Sequence, residues 1–174
     1  NNNYNHITTD SDLNSLHKSE QWDKVIKIVK ANKDEAEKDL DKPIVAMLDT
    51  IYLEDQTYLR QIGEIEEKFG RESDEIKKHW KLINEKDTIN LIKIQKILDE
   101  KGWLGSNVIG SQGNSTLFLV IQHSPLEVQE KYLPMMRDAV KNGKANSSSL
   151  ALLEDRVALR KGGKQIYGSQ IGRD

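Results

Sequence analysis

The fold is decided by residues 43–70, which read PIVAMLDTIYLEDQTYLRQIGEIEEKFG. Apolar side chains return every three or four positions through this stretch, which is the spacing of one face of an α-helix. Proline is tolerated in a first helical turn and glycine favours a helix end, so the sequence predicts one long helix from Pro43 to Gly70. A carboxylate, Asp55, interrupts the apolar face of this helix.

The same periodicity continues beyond Gly70. Ser73 can cap a second long helix that stops at Gly102. Its apolar stripe is interrupted by Asp87, and Asn90 lies beside that position. The two longest predicted helices therefore each carry an acidic side chain where a core residue is expected.

Three shorter helices are expected after Gly102: one over 116–123, one over 125–142, and a last one that follows a serine-rich cap at 147–149 and runs through Val157. Beyond Gly162, the segment 165–167 has strand character, and Gly168 is typical of a bulge or a close backbone approach. The predicted fold is an all-α helical bundle with a short C-terminal β-strand or hairpin.

Composition excludes several classes of protein. The chain has 174 residues, 36% hydrophobic and 31% charged, which is enough for one ordinary domain with a real core. A net charge of -2 with interspersed signs does not favour nucleic acid as a partner. No stretch approaches the roughly 20 apolar residues of a membrane span, and no signal-peptide pattern is present. The absence of cysteine excludes disulfides and thiol chemistry, and it fits cytoplasm and periplasm equally.

Polar side chains collect on the predicted inward faces. An unpaired buried polar group costs on the order of 1–3 kcal/mol, so these side chains must satisfy one another or a ligand. One explanation is a structural hydrogen-bond network that fixes helix register, and the other is a ligand pocket in the bundle. Two acidic residues on the stripes favour the pocket. The residues concerned are Asp55, Asp87, Asn90, Gln122, His123 and Gln129.

Catalysis at this cluster is the alternative to simple binding. His123 is a candidate general base because an imidazole titrates near neutral pH, and Asp55 or Asp87 could orient it or hold a cation. The other histidines lack metal-ligand spacing, so no dedicated metal site and no cofactor are predicted. No nucleophile elbow, phosphate-binding glycine loop or dinucleotide fingerprint occurs. Activation of water is the remaining enzymatic hypothesis.

From Asp55 onward the chain resembles an uncharacterised bacterial domain family of unknown function. Its members carry the motifs DQ, DxxN, GW, QH, DR and QxYG(T/S)Q in this order. The usual Arg after DQ falls one residue later here, at Arg60, and Leu104 stands where many members have Pro. The matching positions are Asp55, Gln56, Asp87, Asn90, Gly102, Trp103, Gln122, His123, Gln129, Asp155, Arg156, Gln165, Tyr167, Gly168 and Gln170.

The resemblance also implies a context. In similar proteins of the Bacteroidetes type the domain follows a tetratricopeptide-type repeat region, which implies that residues 1–32 are the helical exit of such a module or a linker. The sequence itself predicts a linker that breaks the helix near 31–33. Residues 33–174 would then form the helical domain with a polar core site. An exported protein in the periplasm or otherwise outside the cytoplasm is implied, although a cytoplasmic location also fits the residues.

Two functional hypotheses follow from the sequence. The first is a domain that binds a small molecule, peptide or glycan, or a protein partner through an N-terminal repeat module. The second is a hydrolase or transferase with His123 as general base and support from Asp55 and Asp87. The candidate ligand-binding residues are Gln56, Asn90, Trp103, Gln122, Gln129, Asp155, Arg156, Gln165, Tyr167 and Gln170.

Overall fold

The computed structural model describes residues 4–170, and this part of the chain divides into two compact units between Leu40 and Asp41. The first unit contains helix α1 (Tyr4–Thr9), a 3₁₀ helix (Ser11–Leu16) and helix α2 (Glu20–Glu37). Helix α2 runs without interruption through residues 31–33, so the predicted break there is wrong. The assignment of residues 1–32 to a preceding module stays a prediction.

The second unit is a bundle of five helices. Side chains and glycines define the ends of the two long ones: the carboxylate of Asp41 accepts from the backbone N–H of Ile44 at 3.2 Å, and Ser73 starts the next helix. Gly70 and Gly102 end the two helices with φ values of 89° and 71°. The helices are α3 (Lys42–Phe69), α4 (Asp74–Lys101), α5 (Ser106–His123), α6 (Leu126–Lys141) and α7 (Ser147–Arg160).

Contacts between helices give their directions. Lys86 of α4 bonds to Glu54 of α3 at 2.8 Å, and the His79 ring lies 2.8 Å from the carbonyl oxygen of Tyr58. The later residue of α4 contacts the earlier residue of α3, so these two helices are antiparallel. Helix α5 runs parallel to α3, since Gln112 bonds to Asp49 and His123 reaches Asp55 further along both helices. The C-terminal end of α5 therefore lies beside the middle of α3.

Helix α5 is the central element of the core. Its buried residues include Ile109, Leu117 and Ile121, and they pack in one cluster with buried residues of the other four helices. Gly113 allows a close approach, because a Cβ atom there would lie 3.0 Å from Cδ1 of Leu48. The sequence predicts a helix over 116–123 only. The helix instead begins at Ser106 and is broken at Gly110, where φ is 71°, so most of residues 106–115, which lie outside the predicted helix, are helical as well.

The predicted C-terminal strand or hairpin is wrong: the described residues contain no strand, and the fold is all-α. The backbone N–H groups of Ile166, Tyr167 and Ser169 donate to the carboxylate of Asp155 rather than to a neighbouring strand. Gly168, with a φ of 69°, turns the chain within this segment. Local β character was overridden by a side chain on α7.

Candidate functional site

A cavity of about 510 Å³ lies where α3, α4 and α7 meet the junction of α5 and α6. Its volume is in the range of small-molecule sites. Both charged and apolar side chains form its wall. The lining residues are Asp55, Asn84, Asp87, Thr88, Asn90, Leu91, Val120, His123, Ser124, Pro125 and Arg160.

Asp55 is the acidic residue that interrupts the apolar face of α3, and its side chain is 9% exposed. One carboxylate oxygen lies 3.4 Å from Nδ1 of His123, and the other accepts a hydrogen bond of 2.9 Å from Nε2 of Gln56. Burial raises the pKa of Asp55, but the contacts with His123 and Gln56 outweigh burial and leave the pKa below its ordinary value. Asp55 is therefore a carboxylate with two defined partners.

His123 is the last residue of α5, because Ser124 and Pro125 turn the chain out of the helix. Its side chain is 35% exposed, and Nδ1 faces Asp55. This orientation leaves Nε2 as the nitrogen available to a bound molecule or to water. The pair has the geometry of an imidazole oriented by a carboxylate, although its 3.4 Å separation is long for a hydrogen bond.

Asp87 lies in the middle of α4, half-buried, on the same side of the cavity as Leu91 one turn later. Among the described residues it forms no hydrogen bond or ion pair. Burial raises the pKa of Asp87, the negative charge of Asp55 raises it further, and His123 partly opposes both. Asp87 therefore contrasts with Asp55, which has partners.

Asn90 is 2% exposed and lines the cavity. The pKa of Glu54 is lowered first by its hydrogen bond from Lys86 and also by the Asn90 side chain. Because a carboxylate accepts hydrogen bonds, the Asn90 amide directs its NH₂ group towards Glu54. The Oδ1 atom of Asn90 is then left buried without a hydrogen-bond partner among the described residues.

Gln122, Gln129 and Arg156 lie beside the cavity without lining it, and they secure the end of α5. The carbonyl oxygen of Gln122 accepts from Nε2 of Gln129 at 2.7 Å and from Nη1 of Arg156 at 2.8 Å. Arg160 donates to the carbonyl oxygen of Ser124 at 2.9 Å. Carbonyl groups at a helix C-terminus lack helical partners and attract cations, so these bonds fix the residues around His123. The Oε1 atoms of Gln122 and Gln129 have no partner within the described chain.

Asp155, Gln165 and residues 166–170 form a second polar cluster, which we call the clasp. Asp155 is fully buried on α7, and its carboxylate accepts from the backbone N–H groups of Ile166 at 2.6 Å, Tyr167 at 3.0 Å and Ser169 at 2.8 Å. Burial raises the pKa of Asp155, but these donors outweigh it and lower the pKa to about 2.

Two glutamines complete the clasp. The Gln165 side chain accepts from the backbone N–H of Gln170 at 2.7 Å and donates to its carbonyl oxygen at 2.8 Å. The Gln170 side chain donates to the carbonyl oxygen of Leu152 at 3.1 Å and accepts from Nε of Arg156 at 3.2 Å. The QxYGSQ motif of residues 165–170 thus holds the chain against α7.

Two further candidates lie outside the cavity lining. Trp103 is 4% exposed within the hydrophobic core, and its Nε1 has no partner in the described part of the chain. Tyr167 is 57% exposed, and a hydrogen bond to Glu154 raises the pKa of its hydroxyl. Neither side chain is brought to Asp55 or His123.

Several lining residues were not singled out from the sequence. Asn84 and Leu91 lie three residues before and four residues after Asp87 on α4, so the same periodicity that identified Asp87 could have indicated them, whereas Thr88 directly follows Asp87. Arg160 follows Arg156 by one helical turn, but its approach to Ser124 is a tertiary contact that no local pattern shows. The Ser124 hydroxyl donates to the carbonyl oxygen of Ile121 at 2.7 Å, so it is committed to the helix end.

The part of the chain that the structure describes contains no group of three or more His, Asp or Glu side chains arranged to hold a metal ion. Within those residues, no helix has the length and apolar character that a membrane crossing requires.

The chain provides an all-α domain with a polar cavity at the junction of five helices. It belongs to a family of unknown function (DUF6624), whose sequence model matches residues 38–173. No curated protein and no solved structure matches the chain.

Proposed function

We propose that this domain binds a small molecule in the cavity lined by Asp55, Asp87, Asn90 and His123. The observation that carries the proposal is that polar side chains from α3, α4 and α5 meet in one cavity of about 510 Å³ that also has an apolar wall. Ligand sites combine an apolar wall with a few fixed polar groups in this way. The capping of α5 by Arg156 and Gln129 supports it, since these bonds position His123.

Filling the cavity tests the proposal. Thr88 is exposed and lines the cavity, so Thr88→Trp obstructs it while leaving the core unchanged. A ligand found by a thermal-shift screen stabilises the folded state by about 2.7 kcal/mol at a concentration 100 times its Kd. The expected result is that this stabilisation is lost in Thr88→Trp. The proposal is wrong if Thr88→Trp binds every ligand as well as the wild type does.

Thr50 gives the matched control. Its hydroxyl donates to the carbonyl oxygen of Ala46, as the Thr88 hydroxyl donates to that of Asn84, and both threonines are exposed on long helices. Thr50 does not line the cavity. Thr50→Trp should therefore bind ligand like the wild type, so a loss in both variants would indicate general damage rather than obstruction.

The second candidate function is a hydrolase or transferase that activates water. The contact between Asp55 and Nδ1 of His123 favours it, because it directs Nε2 away from Asp55 as a potential base. The hydroxyls of Ser124 and Thr88 donate to backbone carbonyls, so water is the nucleophile of this version. Turnover from a panel of esters, phosphates and glycosides should disappear in His123→Gln. Turnover that survives the substitution contradicts this candidate.

The wider context remains part of the proposal. The bacterial signature motifs and the preceding tetratricopeptide-type module rest on the resemblance, as do the extracytoplasmic location and the possible protein partner. Fractionation of cells that make the full protein tests the location. Recovery in the cytoplasmic fraction alone would contradict it.

A further inference from the structure

The chemistry of the cavity wall indicates a class of ligand, and this step rests on the proposed function. Asn90 supplies the first constraint, because its Oδ1 is a hydrogen-bond acceptor that is buried without a partner in the described chain. Leaving such a group unpaired is unfavourable. A ligand that donates a hydrogen bond would satisfy it, whereas a second acceptor would not.

The two carboxylates supply the second constraint. Asp87 has no hydrogen-bond partner among the described residues, and burial together with the charge of Asp55 raises the pKa of Asp87. A positive charge placed between Asp55 and Asp87 would remove this repulsion. Arg160 is the cationic side chain of the lining, and it already donates to the carbonyl oxygen of Ser124. The described lining thus holds two carboxylates beside one guanidinium that is already engaged with the backbone.

The form of the cation follows from what else lines the cavity. No group of three acidic or histidine side chains suited to a metal ion occurs in the described part of the chain. The described lining residues include no Phe, Tyr or Trp, so they form no aromatic cage of the kind that recognises quaternary ammonium groups. Asp55, Asp87 and Oδ1 of Asn90 are acceptors, which match the N–H donors of a protonated primary amine.

We infer that the cavity binds an organic molecule with a protonated primary amino group, which donates to Asp55, Asp87 and Oδ1 of Asn90. The hydrocarbon part of the molecule lies against Leu91, Val120 and Pro125, which form the apolar side of the lining. Binding of the amine gives a role to Asn90 and Asp87, whose polar side chains helix packing alone does not explain. It also explains why the half-buried carboxylate of Asp87 has no hydrogen-bond partner among the described residues.

Four probes with one hydrocarbon chain and different head groups test the inference: hexylamine, hexyltrimethylammonium, hexan-1-ol and hexanoate. Calorimetry with the wild-type protein should give saturable binding of hexylamine that is at least about tenfold tighter than binding of the other three. Asp87→Asn and Asn90→Leu should each weaken hexylamine binding by about tenfold or more. Asp138→Asn is the matched control, because Asp138 is exposed on α6 and does not line the cavity.

The possible failures are distinguishable. Equal binding of hexyltrimethylammonium shows that N–H donors are not recognised, and equal binding of hexanol shows that charge is not recognised; either result overturns the inference. Preferential binding of hexanoate or hexanol that Thr88→Trp abolishes overturns the inference but leaves the cavity as a binding site. Displacement of hexylamine by Ca²⁺ or Zn²⁺ at equal concentration would show that the site holds a metal ion rather than an amine, which overturns the inference.

If none of the four probes binds at millimolar concentration, the inference is wrong. A positive thermal-shift screen with other compounds, lost in Thr88→Trp, would then still support the proposed function.

Discussion

The clasp and the cavity each hold a carboxylate, and the protein surrounds the two in opposite ways. Asp155 is fully buried and accepts from three backbone N–H groups, so the pKa of Asp155 falls to about 2. Asp87 is less buried and has no hydrogen-bond partner in the described chain, and the pKa of Asp87 is raised. A buried charge that the chain fully satisfies is a structural element. A charge that the chain leaves unsatisfied inside a cavity indicates a ligand site.

The first prediction removes the structural carboxylate. Asp155→Ala deprives the backbone N–H groups of residues 166, 167 and 169 of their acceptor, and it should give the largest loss of stability of all substitutions considered. Hydrogen exchange at these amides should accelerate by on the order of tenfold or more. Asp138→Ala, an exposed aspartate on α6, is the control and should leave exchange unchanged. Wild-type exchange rates in Asp155→Ala would show that the clasp does not depend on this carboxylate.

The second prediction concerns acid. Since the folded-state pKa of Asp155 is depressed to about 2 from an ordinary value near 4, its stabilisation is complete above pH of about 4 and is lost as pH falls towards 2. The stability difference between wild type and Asp155→Asn should therefore shrink over this range. Urea unfolding at a series of pH values measures it. A difference that stays constant from pH 5 to pH 2 would contradict the assigned pKa.

The sequence was sufficient for the long helices and insufficient for the C-terminal segment, for physical reasons. Pro43, Gly70, Ser73 and Gly102 act within one turn of the backbone they cap, so α3 and α4 follow from local rules. The 165–167 segment has the local composition of a strand, but its N–H groups donate to a carboxylate on α7. Such an acceptor is supplied by tertiary structure, which composition does not encode.

The same limit applies to the candidate site. Asp55, Asp87 and Asn90 are conspicuous because they interrupt or flank apolar stripes, and all three line the cavity together with His123. Gln122, Gln129 and Arg156 look equally suited to a ligand in the sequence, yet they bond to the end of α5. Which polar residues serve the backbone and which face the cavity is decided by helix packing. Periodicity predicts which face of a helix is buried, but not which helix packs against that face.

The third prediction tests whether the end of α5 is held by charge. Arg156→Ala removes the donor to the carbonyl oxygen of Gln122 and the contact with Gln170, and it should destabilise the protein by about 1.5–3 kcal/mol. Arg71→Ala is the control, because the Arg71 side chain is 86% exposed beside Glu66 and its loss should cost no more than about 1 kcal/mol. Urea unfolding compares the two variants. Equal losses would show that Arg156 is no more than a surface cation.

The fourth prediction has the smallest expected change in stability, but it tests the comparison of satisfied and unsatisfied carboxylates most directly. Neutralising Asp55 and neutralising Asp87, in the same cavity, should change the free energy of unfolding in opposite directions. Asp55→Asn loses the charge that His123 and Gln56 stabilise, and it should cost about 0.5–1.5 kcal/mol at pH 7. Asp87→Asn removes a charge that burial and Asp55 oppose. Because Asp87 is partly exposed and solvent screens the repulsion, the gain should be no more than about 1 kcal/mol.

The sign of each effect follows from its pKa. The lowered pKa of Asp55 gives stability above pH of about 4 that disappears as pH falls. The raised pKa of Asp87 penalises the fold as pH rises through that pKa, so the advantage of Asp87→Asn should also disappear in acid. Urea unfolding of both variants at pH 7 and at pH 3, with a constant denaturant slope, measures whether the two stability changes have opposite signs at pH 7 and disappear in acid. If both substitutions destabilise equally at pH 7, Asp55 and Asp87 form one structural network, and the distinction between cavity and clasp fails.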